Sequence, residues 1–155
     1  MKITAYKLIN KNKLELIKEN NISYDSNRLL NSPKNVAQFI KDYITPDYSQ
    51  EEYFYLIALN NRGNVKGISE LSHGSCNASD GNILGLFQRA LLMGCNNIIV
   101  THNHPSGYCK PSACDIELTN KIKAGCELLG LKLLDHIITG SEGYYSFTEG
   151  GQLHD

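Results

Sequence analysis

The residues of this sequence that most clearly point to chemistry are two histidines, His102 and His104, which stand two positions apart. They follow residues 97–101, a mostly apolar run that predicts a short buried strand. Because side chains at positions i and i+2 of a strand point to the same face, the two imidazoles can approach one point. A zinc ion needs this geometry from its first two ligands. An H-x-H pair alone is a weak signal, so its surroundings decide how it is interpreted.

An oxygen ligand has to come from another part of the chain, and Asp115 lies eleven residues after His104. It falls in the first turn of a predicted helix that Ser112 opens, behind a loop rich in Gly and Pro that can fold back. Three protein ligands and one open position are typical of a catalytic zinc site. The same S-x-x-D pattern is also explained by a helix capping box, which requires no metal. The residues alone leave both interpretations open.

Hydrophobic periodicity predicts the elements that must position these residues. The predicted strands cover residues 3–9, 14–17, 53–59, 65–71, 97–101, 131–139 and 144–147. The predicted helices begin at Ser32, near Ile83 and at Ser112, and the first ends at Thr45-Pro46-Asp47. Residues 10–13 are expected to form a turn and residues 72–82 a polar loop. This order predicts a mixed β-sheet flanked by helices, an α+β fold in the form of an α/β sandwich.

Together, these residues resemble the JAMM (MPN+) metalloprotease motif, an H-x-H pair followed by S-x-x-D. The resemblance is greatest to the bacterial RadC-like branch, whose signature reads HNHPSG, then PS-x-x-D, then LLDH. Residues 102–107, 111–115 and 133–136 match its three parts. The resemblance implies a single domain with a JAB/MPN-like fold and cytidine-deaminase-like layering. We therefore expect an N-terminal β-hairpin extension over residues 1–30 and a RadC-like JAB/MPN metalloprotease domain over residues 31–150.

The resemblance also implies roles for individual residues. His102, His104 and Asp115 would bind one zinc ion per chain, and Ser112 would hydrogen-bond the substrate carbonyl or the oxyanion that forms from it. Zinc would lower the pKa of a bound water from about 15.7 toward about 7. The implied reaction is the hydrolysis of a peptide or isopeptide bond in an unknown peptide or protein substrate.

The family uses a glutamate at the start of an earlier core strand as general base toward the zinc-activated water. Glu52 directly precedes the strand over residues 53–59 and matches that position. Glu51 is one residue away and would point to the opposite side of the strand. Glu70 lies near the end of the partner strand. We expect Glu52 to be the base, with Glu51 and Glu70 as alternatives.

Three further residues have two interpretations each. His136 ends the Leu-Leu-Asp-His run, where it either supports a ligand histidine from behind or is a core histidine satisfied by hydrogen bonds. Cys109 and Cys114 stand on either side of Ser112, close to Asp115. Thiolates are soft zinc ligands, so the two cysteines either approach the metal or are ordinary loop and surface thiols. If they closed the site, no open position would remain for catalysis.

The composition limits the classes of protein that this chain can belong to. It has 155 residues, 41% hydrophobic and 20% charged, which is typical of one globular domain. The net charge of −1 argues against a strongly basic nucleic-acid binder. The apolar runs are too short to cross a bilayer, and the N-terminus does not have the pattern of a signal peptide. Five cysteines without a C-x-x-C pair are typical of reduced thiols, so we expect a cytoplasmic protein.

Two other functions compete with that of a hydrolase. The name historically attached to the RadC-like family implies DNA repair, so one alternative is a DNA-repair-associated accessory protein, although the charge balance argues against direct nucleic-acid binding. The other is a catalytically silent interaction module that keeps the fold. That module would bind no metal, or its site would be closed by Cys109 or Cys114. The sequence names neither the substrate nor the oligomeric state.

Overall fold

The computed structural model describes residues 2–10, 14–23, 30–44, 50–74 and 82–153. Within these ranges the chain forms seven β-strands and three α-helices. The strands are β1 (Lys2–Asn10), β2 (Leu14–Ser23), β3 (Glu52–Leu59), β4 (Val65–Gly74), β5 (Asn97–Asn103), β6 (Lys132–Gly140) and β7 (Gly143–Ser146). The helices are α1 (Pro33–Tyr43), α2 (Ile83–Leu92) and α3 (Ala113–Leu129).

The strands form one mixed sheet in the order β2-β1-β4-β3-β5-β6-β7. β1 is parallel to β4 and β5 is parallel to β6, whereas the other neighbouring pairs are antiparallel. Parallel neighbours need a crossover, and α3 connects β5 to β6. The chain therefore forms a single α+β domain, as the sequence predicts, and the start of α3 follows closely on the end of β5.

The helices cover both faces of the sheet. One apolar cluster joins α2 and α3 to the sheet, and its largest fully buried members include Leu56, Leu86, Ile98 and Ile122. A second cluster joins α1 to the opposite face through residues such as Phe39. Since burying a large aliphatic or aromatic side chain stabilises a fold by about 1.5–3 kcal/mol, these two layers hold the sandwich together.

Local signals place the starts of α1 and α3 and the end of α3 where the sequence predicts them. Ser32 caps α1 by accepting a hydrogen bond from the backbone N–H of Asn35, and Pro33 is the first helical residue. Ser112 caps α3, which ends at Gly130 in a left-handed conformation with φ of 69°.

Three strand boundaries differ from the sequence prediction by more than one residue. β4 continues through residues 72–74, which the polar composition assigned to a loop, because they pair with residues 52–54 of β3. β5 continues to Asn103, so His102 lies within the strand and not just after it. β2 is longer than residues 14–17. The predicted turn over 11–13, the helix end at 45–47, residues 75–81 of the predicted loop and His154 lie outside the described residues. Among the helices that are described, none has the length and apolar character to cross a membrane.

Candidate metal centre

The two histidines meet at the carboxyl end of β5. His102 lies within the strand, and His104 follows its last residue. The backbone N–H of His104 donates to the carbonyl of Thr139 on β6 at 2.8 Å, which keeps the chain in line beyond the end of β5. The Nε2 atoms of the two histidines are 2.9 Å apart. The i, i+2 spacing thus brings both imidazoles to one point.

Asp115 reaches the same point from the first turn of α3. Its Oδ1 lies 3.2 Å from Nε2 of His102, and its Oδ2 lies 3.5 Å from Nε2 of His104. The three residues offer one ligand atom each, all within 4.8 Å of one another, and together they could hold a metal ion. His102 and Asp115 are buried, and the side chain of His104 is 15% exposed, so the site opens on the side of His104.

Asp115 is both a candidate metal ligand and, together with Ser112, a member of the capping box of α3. Ser112 Oγ accepts from the backbone N–H of Asp115 at 3.2 Å, and Oδ2 of Asp115 accepts from both N–H and Oγ–H of Ser112 at 2.7 Å. Oδ2 is therefore held by Ser112, while Oδ1 remains directed at His102. The two interpretations of S-x-x-D do not exclude each other, because capping orients the carboxylate that would bind the metal.

The loop after His104 reverses direction in a tight turn. Gly107 donates its N–H to the carbonyl of His104 at 2.9 Å and has φ of 87°, where any side chain would also clash with Ser141. His104 Nδ1 lies 2.8 Å from the carbonyl oxygen of Tyr108, which can only accept, so Nδ1 carries the hydrogen. In the neutral imidazole, Nε2 of His104 therefore presents a lone pair to the site. This donor set fits a cation.

The electrostatics of the centre favour negative charge on the carboxylate. Burial alone would raise the pKa of Asp115, but its contacts with His102, His104 and Ser112 hold that pKa far below its usual range. Contact with Asp115 raises the pKa of His104 above 6.5, although burial opposes the shift, and the charge of Glu52 adds to the increase. Asp115 is thus ionised at neutral pH, as a metal ligand must be.

Glu52 is placed on the same side of the sheet as the histidines. It is the first residue of β3, and alternation along the strand puts it on the face of Phe54. Phe54 is the register partner of His102, and their ring centroids are 6.2 Å apart. The carboxylate of Glu52 is also near enough to contribute to the raised pKa of His104.

The carboxylates of the other two candidate bases, Glu51 and Glu70, contact side chains other than the histidines of the site. Glu51 precedes β3, and its exposed carboxylate accepts a hydrogen bond from the hydroxyl of Tyr53 at 3.4 Å. Glu70 contacts Nδ1 of His73 at 2.7 Å and accepts from Tyr55 at 3.4 Å, on the face of the sheet opposite Phe54. Of the three glutamates, the structure brings Glu52 toward the histidines.

Asn103, which the sequence analysis did not single out, also belongs to the site. Its Oδ1 accepts from the backbone N–H of Tyr53 at 2.8 Å, and its Nδ2 donates to the carbonyl of Glu51 at 2.9 Å. Asn103 is buried, and in the sequence it stands between the two histidines of the H-x-H pair. An amide between two histidines suggests a structural hydrogen bond, but the sequence pattern does not identify its partners, which lie around the start of β3.

His136 lies directly behind the site. Its Nε2 is 2.8 Å from Nδ1 of His102, and its Nδ1 is 2.7 Å from the hydroxyl of Thr119. The side chain is fully buried, and this burial, together with the neighbouring His102, lowers the pKa of His136 well below 6.5. The imidazole is thus both a satisfied core group and a partner of a candidate ligand.

The two cysteines take up other positions. Cys109 is partly buried, with its Sγ 3.8 Å from the carbonyl oxygen of Gly107. Cys114 is exposed on α3. Over the described part of the chain, neither thiol belongs to the group of side chains that could share a metal with Asp115.

The sequence is similar to a known protein family and to several curated proteins. The family model for the RadC-like JAB domain matches residues 30–152. A UPF0758 protein of Desulfitobacterium hafniense is 37% identical over 125 residues, which cover 81% of this chain and 54% of the relative. A UPF0758 protein of Chlorobium phaeovibrioides is 34% identical over 139 residues, or 90% of this chain and 61% of the relative. The chain spans about half the length of the curated relatives that it matches. It belongs to the family of RadC-like JAB domains.

Proposed function

We propose that this chain is a zinc-dependent hydrolase that cleaves peptide or isopeptide bonds in a peptide or protein substrate. The observation that carries the proposal is the convergence of His102 Nε2, His104 Nε2 and Asp115 Oδ1. Two imidazole nitrogens and a carboxylate oxygen are a ligand set that zinc accepts, and three protein ligands leave a position open for chemistry. Membership of the family of RadC-like JAB domains supports the same proposal of a metal-dependent hydrolase.

A zinc ion held by these residues supplies Lewis acidity, which polarises a carbonyl group and makes water more acidic. Glu52 contributes the proton transfers. Its half-buried carboxylate stands at the start of β3 on the side of His102, where it can accept a proton from water and pass it to the leaving amine. As general base and then general acid it would contribute about 10²–10⁴-fold in rate.

Ser112 contributes a hydrogen bond to the oxyanion. Its hydroxyl donates to Oδ2 of Asp115, and the residue is exposed, so the hydroxyl can rotate toward a substrate oxygen. The backbone N–H of Ser112 then still holds Oδ2 of Asp115. A donor aimed at the developing charge in this way typically contributes about 10²–10³-fold in rate.

Metal analysis combined with hydrolysis tests the proposal. The probes are a quenched fluorescent peptide library and an ε-linked lysine peptide. We expect about one zinc per chain in the wild type, as a three-ligand site binds. His104→Ala and Asp115→Ala lose the zinc and the activity. Full zinc occupancy in both variants would contradict the ligand assignment.

Two glutamate variants separate the metal from the base. Glu52→Gln retains the zinc but loses at least about 100-fold in hydrolysis, because it cannot accept a proton. Glu51→Gln is the matched control, one position away, and keeps both properties. If Glu52→Gln hydrolyses the probes as fast as the wild type, Glu52 is not the base. If the wild type binds zinc but hydrolyses neither probe, a catalytically silent module is the better description.

A further inference from the structure

We infer that Thr119 is a positioning residue of the metal centre. Through His136, it fixes which ring nitrogen of His102 carries the hydrogen and so keeps Nε2 of His102 available to bind a metal. The inference rests on the proposed metal site but not on the reaction that the site performs. The inference follows from the direction of three successive hydrogen bonds. They run from the backbone carbonyl of Asp115 through the side chains of Thr119 and His136 to the ring of His102.

The direction of the first two bonds is set by Thr119. Its Oγ1 lies 2.6 Å from the carbonyl oxygen of Asp115, one turn earlier in α3, and 2.7 Å from Nδ1 of His136. A hydroxyl has one hydrogen, and a carbonyl oxygen can only accept, so that hydrogen goes to Asp115. The Thr119 oxygen must then accept at the second contact. The hydrogen of His136 is therefore on Nδ1.

The surroundings of His136 keep the ring neutral. Its side chain is 0% exposed and stacks on Phe147, with ring centroids 4.7 Å apart and planes at 8°. The ring of Phe54 lies at 6.0 Å. Within the described ranges, no carboxylate hydrogen-bonds to this imidazole. A second proton would create a buried charge with no carboxylate in hydrogen-bond contact, which is costly, and the cost of burial outweighs the attraction of the Asp115 charge. Nε2 of His136 therefore carries a lone pair.

The tautomer of His102 follows from that lone pair. Nε2 of His136 is 2.8 Å from Nδ1 of His102, so it accepts the hydrogen that Nδ1 of His102 donates. In the neutral imidazole, Nε2 of His102 then presents its lone pair to His104 and Asp115. The opposite tautomer would place a hydrogen among the three ligand atoms and block the metal. Fixing the tautomer of a ligand histidine in this way raises its affinity for a metal.

Thr119→Val tests the role of the hydroxyl, because valine keeps the shape of threonine and lacks the hydrogen-bonding oxygen. Thr119→Ser is the matched control, since it keeps the hydroxyl. The first readout is the tautomer of His102 and His136 in the metal-free protein, from ring ¹⁵N chemical shifts at alkaline pH. The second readout is zinc affinity, measured by competition with a chromophoric chelator.

In the wild type and in Thr119→Ser, we expect the hydrogen on Nδ1 of both rings. In Thr119→Val, His136 loses its acceptor, both rings become tautomeric mixtures, and zinc affinity falls about 10- to 100-fold. A threonine with a merely structural role would change the melting temperature but not the tautomers. Zinc binding by Thr119→Val that equals that of Thr119→Ser would overturn the inference.

The wild-type spectrum tests the tautomers of His102 and His136 even if Thr119→Val does not fold. A hydrogen on Nε2 of His102 or of His136 in the metal-free wild type overturns the inference without any variant. The proposed function fails separately. If the wild type binds no zinc while both rings carry the hydrogen on Nδ1, the relay from Thr119 is supported and the zinc hydrolase is rejected.

Discussion

The side-chain amide of Asn103 hydrogen-bonds to the peptide groups on both sides of Glu52. It accepts from the N–H of Tyr53 at 2.8 Å and donates to the carbonyl of Glu51 at 2.9 Å. Asn103 is also the last residue of β5, next in sequence to His102. The segment that carries the histidines therefore holds the strand that carries the proposed base, and it sets the separation between the base and the metal ligands.

Replacing Asn103 with alanine should disturb the base without removing the metal. Two backbone groups lose their partners at partly buried positions, so Asn103→Ala should lose about 1–3 kcal/mol of stability, or about 0.5–1.5 kcal/mol per hydrogen bond. We expect kcat on the peptide probes to fall while zinc occupancy stays at the wild-type level. Asn97→Ala is the matched control, because Asn97 begins β5 and donates to the carbonyl of Asn60 at 3.1 Å. A wild-type kcat in folded Asn103→Ala would contradict this positioning role.

The two capped helices offer a comparison between a structural serine and a serine at the site. Ser112→Ala and Ser32→Ala each remove an N-cap, which costs about 0.5–2 kcal/mol, so both should shift the midpoint of urea unfolding. Only Ser112 also donates to the carboxylate of Asp115. We therefore expect zinc affinity and hydrolysis to fall in Ser112→Ala alone. Equal activity in the two variants would limit Ser112 to capping.

Local rules of sequence account for much of the site. The spacing of His102 and His104 and the S-x-x-D pattern each depend on the geometry of one element, a strand and the first turn of a helix. The structure keeps both relationships, with the Nε2 atoms 2.9 Å apart and a complete capping box at Ser112. Contacts that depend only on the spacing of residues within one strand or helix can therefore be predicted from the sequence without knowledge of the fold.

The supporting contacts depend on the register of the sheet and on packing between elements. His136 is 34 residues from His102 and Thr119 is 17 residues from His136, and their contacts arise because α3 crosses from β5 to the parallel strand β6. Asn103 bonds to Glu51, 52 residues away, because β3 and β5 pair in one particular register. No pattern in a single sequence specifies that register, so these contacts cannot be predicted from the sequence and are seen only in the structure.

The two thiols near the site should be dispensable for metal binding. Neither Cys109 nor Cys114 lies in the group formed by His102, His104 and Asp115 over the described residues. We expect Cys109→Ser and Cys114→Ser to bind zinc with wild-type affinity, measured by chelator competition. A loss of affinity of tenfold or more in either variant would bring a thiol into the site and argue for a closed centre.

Alkylation should distinguish the exposed thiol of Cys114 from the buried thiol of Cys126. Burial raises the pKa of Cys126 to about 12, and the residue is 1% exposed, so its thiolate is scarce and inaccessible. Cys114 is exposed at the start of α3. Native protein treated with iodoacetamide should be labelled at Cys114, and at Cys126 only after unfolding in urea. Peptide mass mapping gives the order, and early labelling of Cys126 would contradict the packing of α3.

Asp135 is a buried carboxylate with a structural task. Its Oδ1 accepts from the backbone N–H groups of His136 and Thr148 at 2.8 and 3.1 Å, and its Oδ2 accepts from Ser146 at 2.6 Å. These bonds fix the turn that places Phe147 against His136. Burial raises the pKa of Asp135 above 3.8 even though the hydrogen bonds oppose the shift. The folded protein therefore favours the protonated carboxyl group more than the unfolded chain does.

The sign of this shift predicts how stability depends on pH. Because the folded pKa of Asp135 exceeds the unfolded value, its contribution to the free energy of unfolding is present below about 3.8 and is lost as the pH rises through the folded pKa. Asp135→Asn cannot titrate, so its stability relative to the wild type should increase over that window. Urea unfolding at a series of pH values measures the difference. Glu127→Gln, at an exposed position of α3, controls for the loss of one negative charge. If the wild type gains stability relative to Asp135→Asn as the pH rises, the folded pKa is lowered, and the hydrogen bonds to Ser146 and Thr148 outweigh the cost of burial.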